Sequence, residues 1–154
     1  MHFSQNGVVA VVGGSRTMHG APIFSALAAE ASGVDLIYPC VPECHAEVTK
    51  NASLNFFVTP YRGNHLGPDD VSAIEDVLTH SDATVIGPGL ATFDEAQQAM
   101  KELMQGTDRP LVVDAGALHP WTFEALQENQ LMRQKKLMCW LQKPQKPLKE
   151  GLPK

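Results

Sequence analysis

The sequence predicts an α/β domain in three layers, with helices covering both faces of a mostly parallel sheet. Three observations carry this. From Gly7 to about Asn129, short apolar runs alternate with longer amphipathic ones, the rhythm that right-handed crossovers between parallel strands impose. The first run, Val8-Val9-Ala10-Val11-Val12, is continuous, largely β-branched and stops at Gly13-Gly14, as a strand buried on both faces does. Three runs end in special residues: Gly13-Gly14-Ser15, Gly87-Pro88-Gly89 and Asp114-Ala115-Gly116. Ligands on such sheets bind beyond the carboxyl ends of the strands, so the three ends point to one site.

Each element has its own warrant. After the loop Ser15–Gly20, the stretch Ala21–Glu30 predicts a helix: Pro22 suits its first turn, and its alanines let it lie close on a sheet. Gly33 ends that helix, and a second strand is expected over Val34–Tyr38. A short helix over roughly 43–50 and a strand over Leu54–Val58 follow. Pro68-Asp69-Asp70 opens a helix with Val71, Ile74, Val77 and Leu78 on one face, its acids at the positive end of the dipole. Ala83–Ile86 is the next strand. Thr92-x-x-Glu95 reads as a capping box, with Ala96, Ala99, Met100 and Leu103 as the buried stripe behind it. Pro110–Asp114 is another strand and Pro120–Glu128 another helix. The pattern breaks there. Residues 130–154 have no β-branched residue and are dense in Lys, Gln and Pro, so no strand is expected in them. Residues 1–129 are accordingly read as a partial domain and 130–154 as a basic tail.

Composition narrows the function. The chain has 154 residues, 44% hydrophobic and 19% charged, ordinary globular material. Residues 1–129 carry five Lys or Arg against 16 acids, a net charge of −11, while 130–154 carry a net +6. A body this acidic is a poor nucleic-acid binder, because neutralising phosphates needs clustered cations. No apolar run approaches the roughly 18 residues of a membrane span, and Met1–Asn6 shows no basic region leading into an apolar one. Cys40, Cys44 and Cys139 are an odd, sparse set, which fits free thiols in a reducing cytoplasm.

The motifs leave alternatives open. Gly13-Gly14-Ser15…Gly20-Ala21-Pro22 joins a strand to a helix, where glycines permit close approach and the first amides favour an anion. It could equally be a tight turn. Neither the Walker A nor the Rossmann spacing is present. Asp114, at the end of an apolar strand, could orient a ribose, hold a metal-bound water or cap the next turn. Cys40-x-x-x-Cys44-His45 has no fourth ligand at zinc spacing, so no metal site is expected. Ser15 lacks the Gly-x-Ser-x-Gly elbow of a nucleophile, and His119, nearest the predicted site, suits capping or exposure better than catalysis.

Taken in order, Val-Val-Gly-Gly-Ser…Gly-Ala-Pro, then Asp-Ala-x-Val-Ile-Gly-Pro-Gly-Leu, then Pro-Leu-Val-Val-Asp-Ala-x-Ala-Leu resembles the ADP-dependent NAD(P)H-hydrate dehydratase family over about Gly7 to Leu126. The segment Phe57–Leu66 is similar to that family's variable middle. The resemblance implies a ribokinase-like fold and a metabolite-repair activity, a carbon–oxygen lyase reaction. ADP or ATP phosphorylates the hydroxyl of hydrated NADH or NADPH, and loss of phosphate regenerates the nicotinamide. It implies NAD(P)H hydrate as the ligand and ADP or ATP as donor with magnesium as companion ion. A fold without its last third leaves apolar sheet surface uncovered, so residues 130–154 or a neighbouring subunit, in a homo-oligomer, are expected to cover it. Substrate contacts carry over to Ala21 and Gly89, with Gly20 and Gly87 as neighbours and Asp114 at the third strand end.

Departures from the family's pattern matter as much. Ala91 stands where the family turn ends in Gly, and Gly116 where it has a second Asp. No Thr-Pro-His-Pro, Lys-Gly strand or Gly-x-Gly-Asp occurs within the 154 residues. That Asp is the family's catalytic base and those glycines hold the donor. The fold is therefore expected to lack its C-terminal part, no catalytic residue is assigned, and the chain is expected to be inactive or weakly active. Another ribokinase-fold small-molecule kinase is one alternative, against which the Gly-Pro-Gly-Leu turn argues. A dinucleotide-binding or assembly protein without catalysis is the other.

Overall fold

The computed structural model describes residues 6–122 and 137–139. Six parallel strands form one sheet in the order β3-β2-β1-β4-β5-β6. They are β1 (Val8–Val12), β2 (Leu36–Pro42), β3 (Thr59–Tyr61), β4 (Ala83–Ile86), β5 (Leu111–Val113) and β6 (Leu137–Cys139). Helices α1 (Gly20–Ala31), α2 (Ala46–Lys50), α3 (Val71–Thr79) and α4 (Asp94–Gly106) connect them, with short 3-10 turns at Glu43–His45, Pro68–Asp70 and Ala115–Ala117. Chain order runs outward from β1 to β3 on one side and from β4 to β6 on the other. The strand order therefore switches between β1 and β4, which is where an open α/β sheet leaves a crevice.

Alternation along β1 builds the three layers. Val9 and Val11 face Ala26 and Leu27 of α1, together with Ile37 and Phe56. Ala10 and Val12 point the other way, into a larger core with Ile74 and Leu78 of α3 and Met100, Leu103 and Met104 of α4. A strand sandwiched in this way has no face for a polar residue. Among the described residues, no helix is long and apolar enough to cross a membrane.

Most elements fall where expected; four do not. β2 begins at Leu36 and runs through two prolines to Pro42, level with β1 from Val8↔Leu36 to Val12↔Cys40. Pro39 explains the fate of the strand expected over Leu54–Val58. Phe57 donates its N–H to the Ile37 carbonyl (2.9 Å), but Pro39 has no N–H with which to return the bond. Pairing there stops at a single bridge, Ile37↔Phe56, and the ladder resumes as β3 at Thr59.

The capping box is not formed. α4 starts at Asp94 with Phe93 as its extended N-cap residue and no side-chain capping bond, so Thr92 lies outside the helix. The predicted stripe behind it is nonetheless buried. Asp70 is also more than a helix-dipole acid. Its buried carboxylate accepts the N–H groups of Arg62 (2.9 Å) and Gly67 (3.0 Å), tying the β3 exit to α3.

The largest correction is β6. Leu137–Cys139 pairs in parallel with β5, from Leu111↔Leu137 to Val113↔Cys139, although no strand was expected past residue 129. Strand propensity depends on context, and the open edge of β5 supplies a ladder that an intrinsically weak strand sequence can join. Residues 120–122 are helical; the rest of the helix expected to Glu128 lies outside the described residues.

Candidate functional site

The carboxyl ends of β1, β2, β4 and β5 are bonded into one platform. The Gly13 N–H donates to the Cys40 carbonyl (3.0 Å) and the Gly14 N–H to the Pro88 carbonyl (2.8 Å). The Gly87 N–H donates to Val12 (3.0 Å), the Asp114 N–H to Ile86 (3.0 Å) and the Gly116 N–H to the Gly87 carbonyl (3.3 Å). Two glycines are dictated by these approaches. A Cβ on Gly13 would overlap the Pro88 carbonyl, and one on Gly87 (φ +119°) would overlap the Asp114 carbonyl. The Tyr61 hydroxyl fixes the platform from the other side, lying 2.7 Å from the Gly14 carbonyl and 3.0 Å from that of Gly13. Burial, reinforced by Cys40, Asp70 and Cys44, pushes the Tyr61 phenol up, so it acts as a permanent donor.

Beside the platform lies a cleft of about 530 Å³, lined by Ser15–Met18, Asn64 and His65, and Leu90–Phe93. Its walls are the loop after β1, the loop after β3 and the turn after β4. His65 faces Glu95 at 3.9 Å and meets the Phe93 ring edge-on, with centroids 5.4 Å apart. Met18 and Phe93 are both substantially exposed there. The mixture of an aromatic face, hydroxyls and one guanidinium suits an extended ligand with both a ring and an anionic part.

The structure brings the predicted residues together in two groups. Ala21 and Gly89 meet: a Cβ on Gly89 (φ +70°) would sit 3.4 Å from the Ala21 Cβ and 3.2 Å from the Met18 carbonyl. Gly20 and Ala21 open α1, whose N-cap residue His19 makes no side-chain capping bond; the first amides of a helix have no intrahelical acceptor. Gly87 and Asp114 form the second group, packed on each other one strand further along. Asp114 is half-buried and does not cap the following 3-10 turn, whose start lacks a side-chain bond. None of these five residues, Gly20, Ala21, Gly87, Gly89 or Asp114, lines the cleft itself.

Sequence reasoning missed Arg16, Asn64, His65 and Phe93 as cleft residues. Arg16 had a visible signal, being one of five cations in an acidic body and lying inside the glycine-rich loop. His65 and Phe93 had none, because their meeting depends on how the β3 exit packs against the start of α4. Cys40 is buried and Cys44 exposed, and the described residues hold no cluster of three or more His, Cys, Asp or Glu that could take a metal.

Comparison with known proteins agrees with this fold. The family model for NAD(P)H-hydrate dehydratase matches residues 9–138, which take in all six strands apart from one residue at each end. A bifunctional NAD(P)H-hydrate repair enzyme of Hyperthermus butylicus is 39% identical over 123 residues, covering 76% of this chain and 22% of that protein. An ADP-dependent (S)-NAD(P)H-hydrate dehydratase of Natrialba magadii is 38% identical over 117 residues, covering 76% of this chain and 45% of the relative. The ADP/ATP-dependent NAD(P)H-hydrate dehydratase of Bacillus subtilis, co-crystallised with ATP/Mg2+ and soaked with CoA, superposes with a TM-score of 0.58. It is 25% identical, over 73% of this chain and 39% of that one. A ribokinase-like protein of Enterococcus faecalis shares the fold with a TM-score of 0.70 at 23% identity, over 86% of this chain and 44% of its own. The chain thus spans less than half the length of these relatives. The glycine-lined switch point, the parallel order on either side of it and the match over 9–138 have one common explanation: this chain belongs to the NAD(P)H-hydrate dehydratase family.

Proposed function

We propose that this chain supplies the substrate side of an ADP/ATP-dependent NAD(P)H-hydrate dehydratase, binding hydrated NADH or NADPH across the carboxyl ends of β1, β4 and β5. The observation that carries the proposal is the meeting of Ala21 and Gly89 at the switch point, next to the cleft. A dinucleotide laid along these strand ends runs past the Gly87–Leu90 turn into the adjoining cleft. The uncapped start of α1 offers N–H groups to its phosphates, and Phe93 and Met18 offer apolar surface to a ring.

The donor is ADP or ATP with magnesium, by analogy with the relatives named for that dependence. In the proposed reaction the substrate hydroxyl attacks the donor's terminal phosphorus, the nucleotide leaves, and expulsion of phosphate then restores the nicotinamide. Such a transfer depends on positioning and charge stabilisation of the phosphoryl group. Within the 154 residues, no Gly-x-Gly-Asp or Lys-Gly segment exists to provide either. The expected behaviour of this chain alone is therefore binding without useful turnover, since loss of a general base by itself costs about two to four orders of magnitude in rate.

The test is calorimetric titration with NADPH hydrate beside an absorbance assay for recovered NADPH in the presence of ADP or ATP. Weak binding by the wild-type chain, lost in Gly89→Val and unaccompanied by turnover, is expected. Absence of binding would overturn the substrate assignment. Nucleotide-dependent turnover by the purified 154 residues would overturn the assignment of donor chemistry to segments they do not contain.

A further inference from the structure

We infer that His45 is a positioning residue that holds Arg16 on the cleft wall, and that Arg16 is the cation which meets a phosphate of the bound dinucleotide. This rests on the substrate class proposed above but concerns two residues to which neither the family match nor the site residues assign a part.

Arg16 is the only Lys or Arg among the cleft-lining residues. Elsewhere in the acidic body, Lys50 is paired with Glu47 and Arg109 lies beside Asp108. A dinucleotide brings at least two phosphate charges to a wall that has one guanidinium to answer them. The loop carrying it is slight. Ser15 and Met18 exchange two backbone bonds, N–H to carbonyl at 3.1 and 3.0 Å, which closes a turn with Arg16 and Thr17 at its tip. Nothing in that pair of bonds fixes the direction of the tip.

His45 does. Its Nε2 lies 3.0 Å from the Ser15 carbonyl and 3.0 Å from the Arg16 carbonyl. Carbonyl oxygens only accept, so this nitrogen carries the proton and donates to both. The ring is half-buried and leans on His19, with centroids 5.0 Å apart. Its own backbone is held in turn, because the buried Thr49 hydroxyl donates to the His45 carbonyl at 2.8 Å. A line of bonds thus runs from α2 through the imidazole to the peptide of Arg16. Without it, both the loop and the long arginine arm would have to be ordered by the ligand, which weakens binding.

The test is a fluorescence titration of the full chain with NADPH, which carries the phosphates of the hydrate, together with amide hydrogen exchange over residues 15–18. Arg16→Ala should weaken NADPH binding about tenfold or more, as loss of a charge-assisted hydrogen bond does, and flatten its salt dependence. His45→Leu should weaken it about three- to tenfold and speed exchange in the loop. His45→Gln, whose amide reaches to about where Nε2 stands, should restore both. Because His45 acts through Arg16, the double variant should bind no worse than Arg16→Ala alone. Should His45→Leu not fold, His45→Asn replaces it: its shorter amide cannot reach both carbonyls and should bind weakly beside a wild-type-like His45→Gln.

Additive losses in the double variant, or a His45→Gln as weak as His45→Leu, would overturn the positioning role. An Arg16→Ala chain that binds NADPH like wild type would overturn the phosphate contact. If the wild-type chain does not bind NADPH at all, the substrate class fails and the Arg16 contact with it, while faster loop exchange in His45→Leu would still uphold the clamp.

Discussion

Gly87→Ala should be the most damaging single-methyl change at the platform, and its size can be worked out from the geometry. Gly87 has φ +119°, a region that L side chains rarely adopt, and an added Cβ would overlap the Asp114 carbonyl and lie 2.9 Å from the Ala117 Cβ. Forcing a non-glycine residue into such a backbone costs about 1–3 kcal/mol, and overpacking a closed contact about 1–3 kcal/mol more. Neither neighbour yields easily: the Asp114 carbonyl accepts the Ala117 N–H at 3.1 Å, and the Asp114 N–H is bonded to Ile86. A loss near the middle, about 4 kcal/mol, is a large part of a total of about 5–15 kcal/mol. At about 2–4 °C per kcal/mol for a chain of this size, it lowers the melting temperature by about 10 °C. Gly20→Ala is the control. Gly20 opens α1, and a Cβ there meets only the Phe24 ring at an ordinary 3.6 Å, so its stability should change by less than about 1 kcal/mol. Thermal and urea unfolding followed by circular dichroism measure both. A Gly87→Ala chain that melts within about 2 °C of wild type, or a Gly20→Ala chain as unstable as Gly87→Ala, would refute the reasoning.

Two further outcomes follow from buried groups. Tyr61→Phe removes the hydroxyl shared by the Gly13 and Gly14 carbonyls and should cost about 1–3 kcal/mol in urea unfolding, with NADPH binding weakened as the platform loosens. Burial raises the Cys40 thiol from 9.0 to about 12. Since the unfolded chain releases this proton first, the stability it contributes is whole below pH 9 and is lost as pH rises toward 12. Iodoacetamide labelling mapped by mass spectrometry at pH 8 should find Cys44 modified and Cys40 protected; a native chain labelled at Cys40 would contradict its burial.

The fold was legible where one residue type had only one use. Five consecutive apolar residues before two glycines can only be a strand sandwiched between layers, and β1 is that strand. The stripe Ala96, Ala99, Met100, Leu103 could be read as buried without knowing what covers it. Errors arose where a partner decides. Leu54–Val58 has the composition of a strand, yet the neighbouring position that must complete its ladder is Pro39. Leu137–Cys139 lacks that composition, yet β5 offers it an edge. Thr92 and Glu95 have the spacing of a capping box, but the helix starts one residue later than that box requires, because the chain leaves the buried turn Gly87–Leu90 through an extended Phe93.

The candidate site divides along the same line. Gly87 and Gly89 were recognisable because positive φ and close approach leave glycine as the one residue that fits. Order along the chain then told which strand ends they sit on. The walls of the cleft were not recognisable, because Asn64, His65 and Phe93 come from segments brought together only by the packing of the β3 exit on α4. His45 shows how far this goes. In sequence it closes the run Cys40-x-x-x-Cys44-His45, which has no fourth ligand at zinc spacing. In the fold its Nε2 is committed as a donor to two carbonyls 29 and 30 residues away. The residue type was informative about chemistry, and the backbone it meets determined which chemistry applies: here, holding still the one cation in the cleft wall.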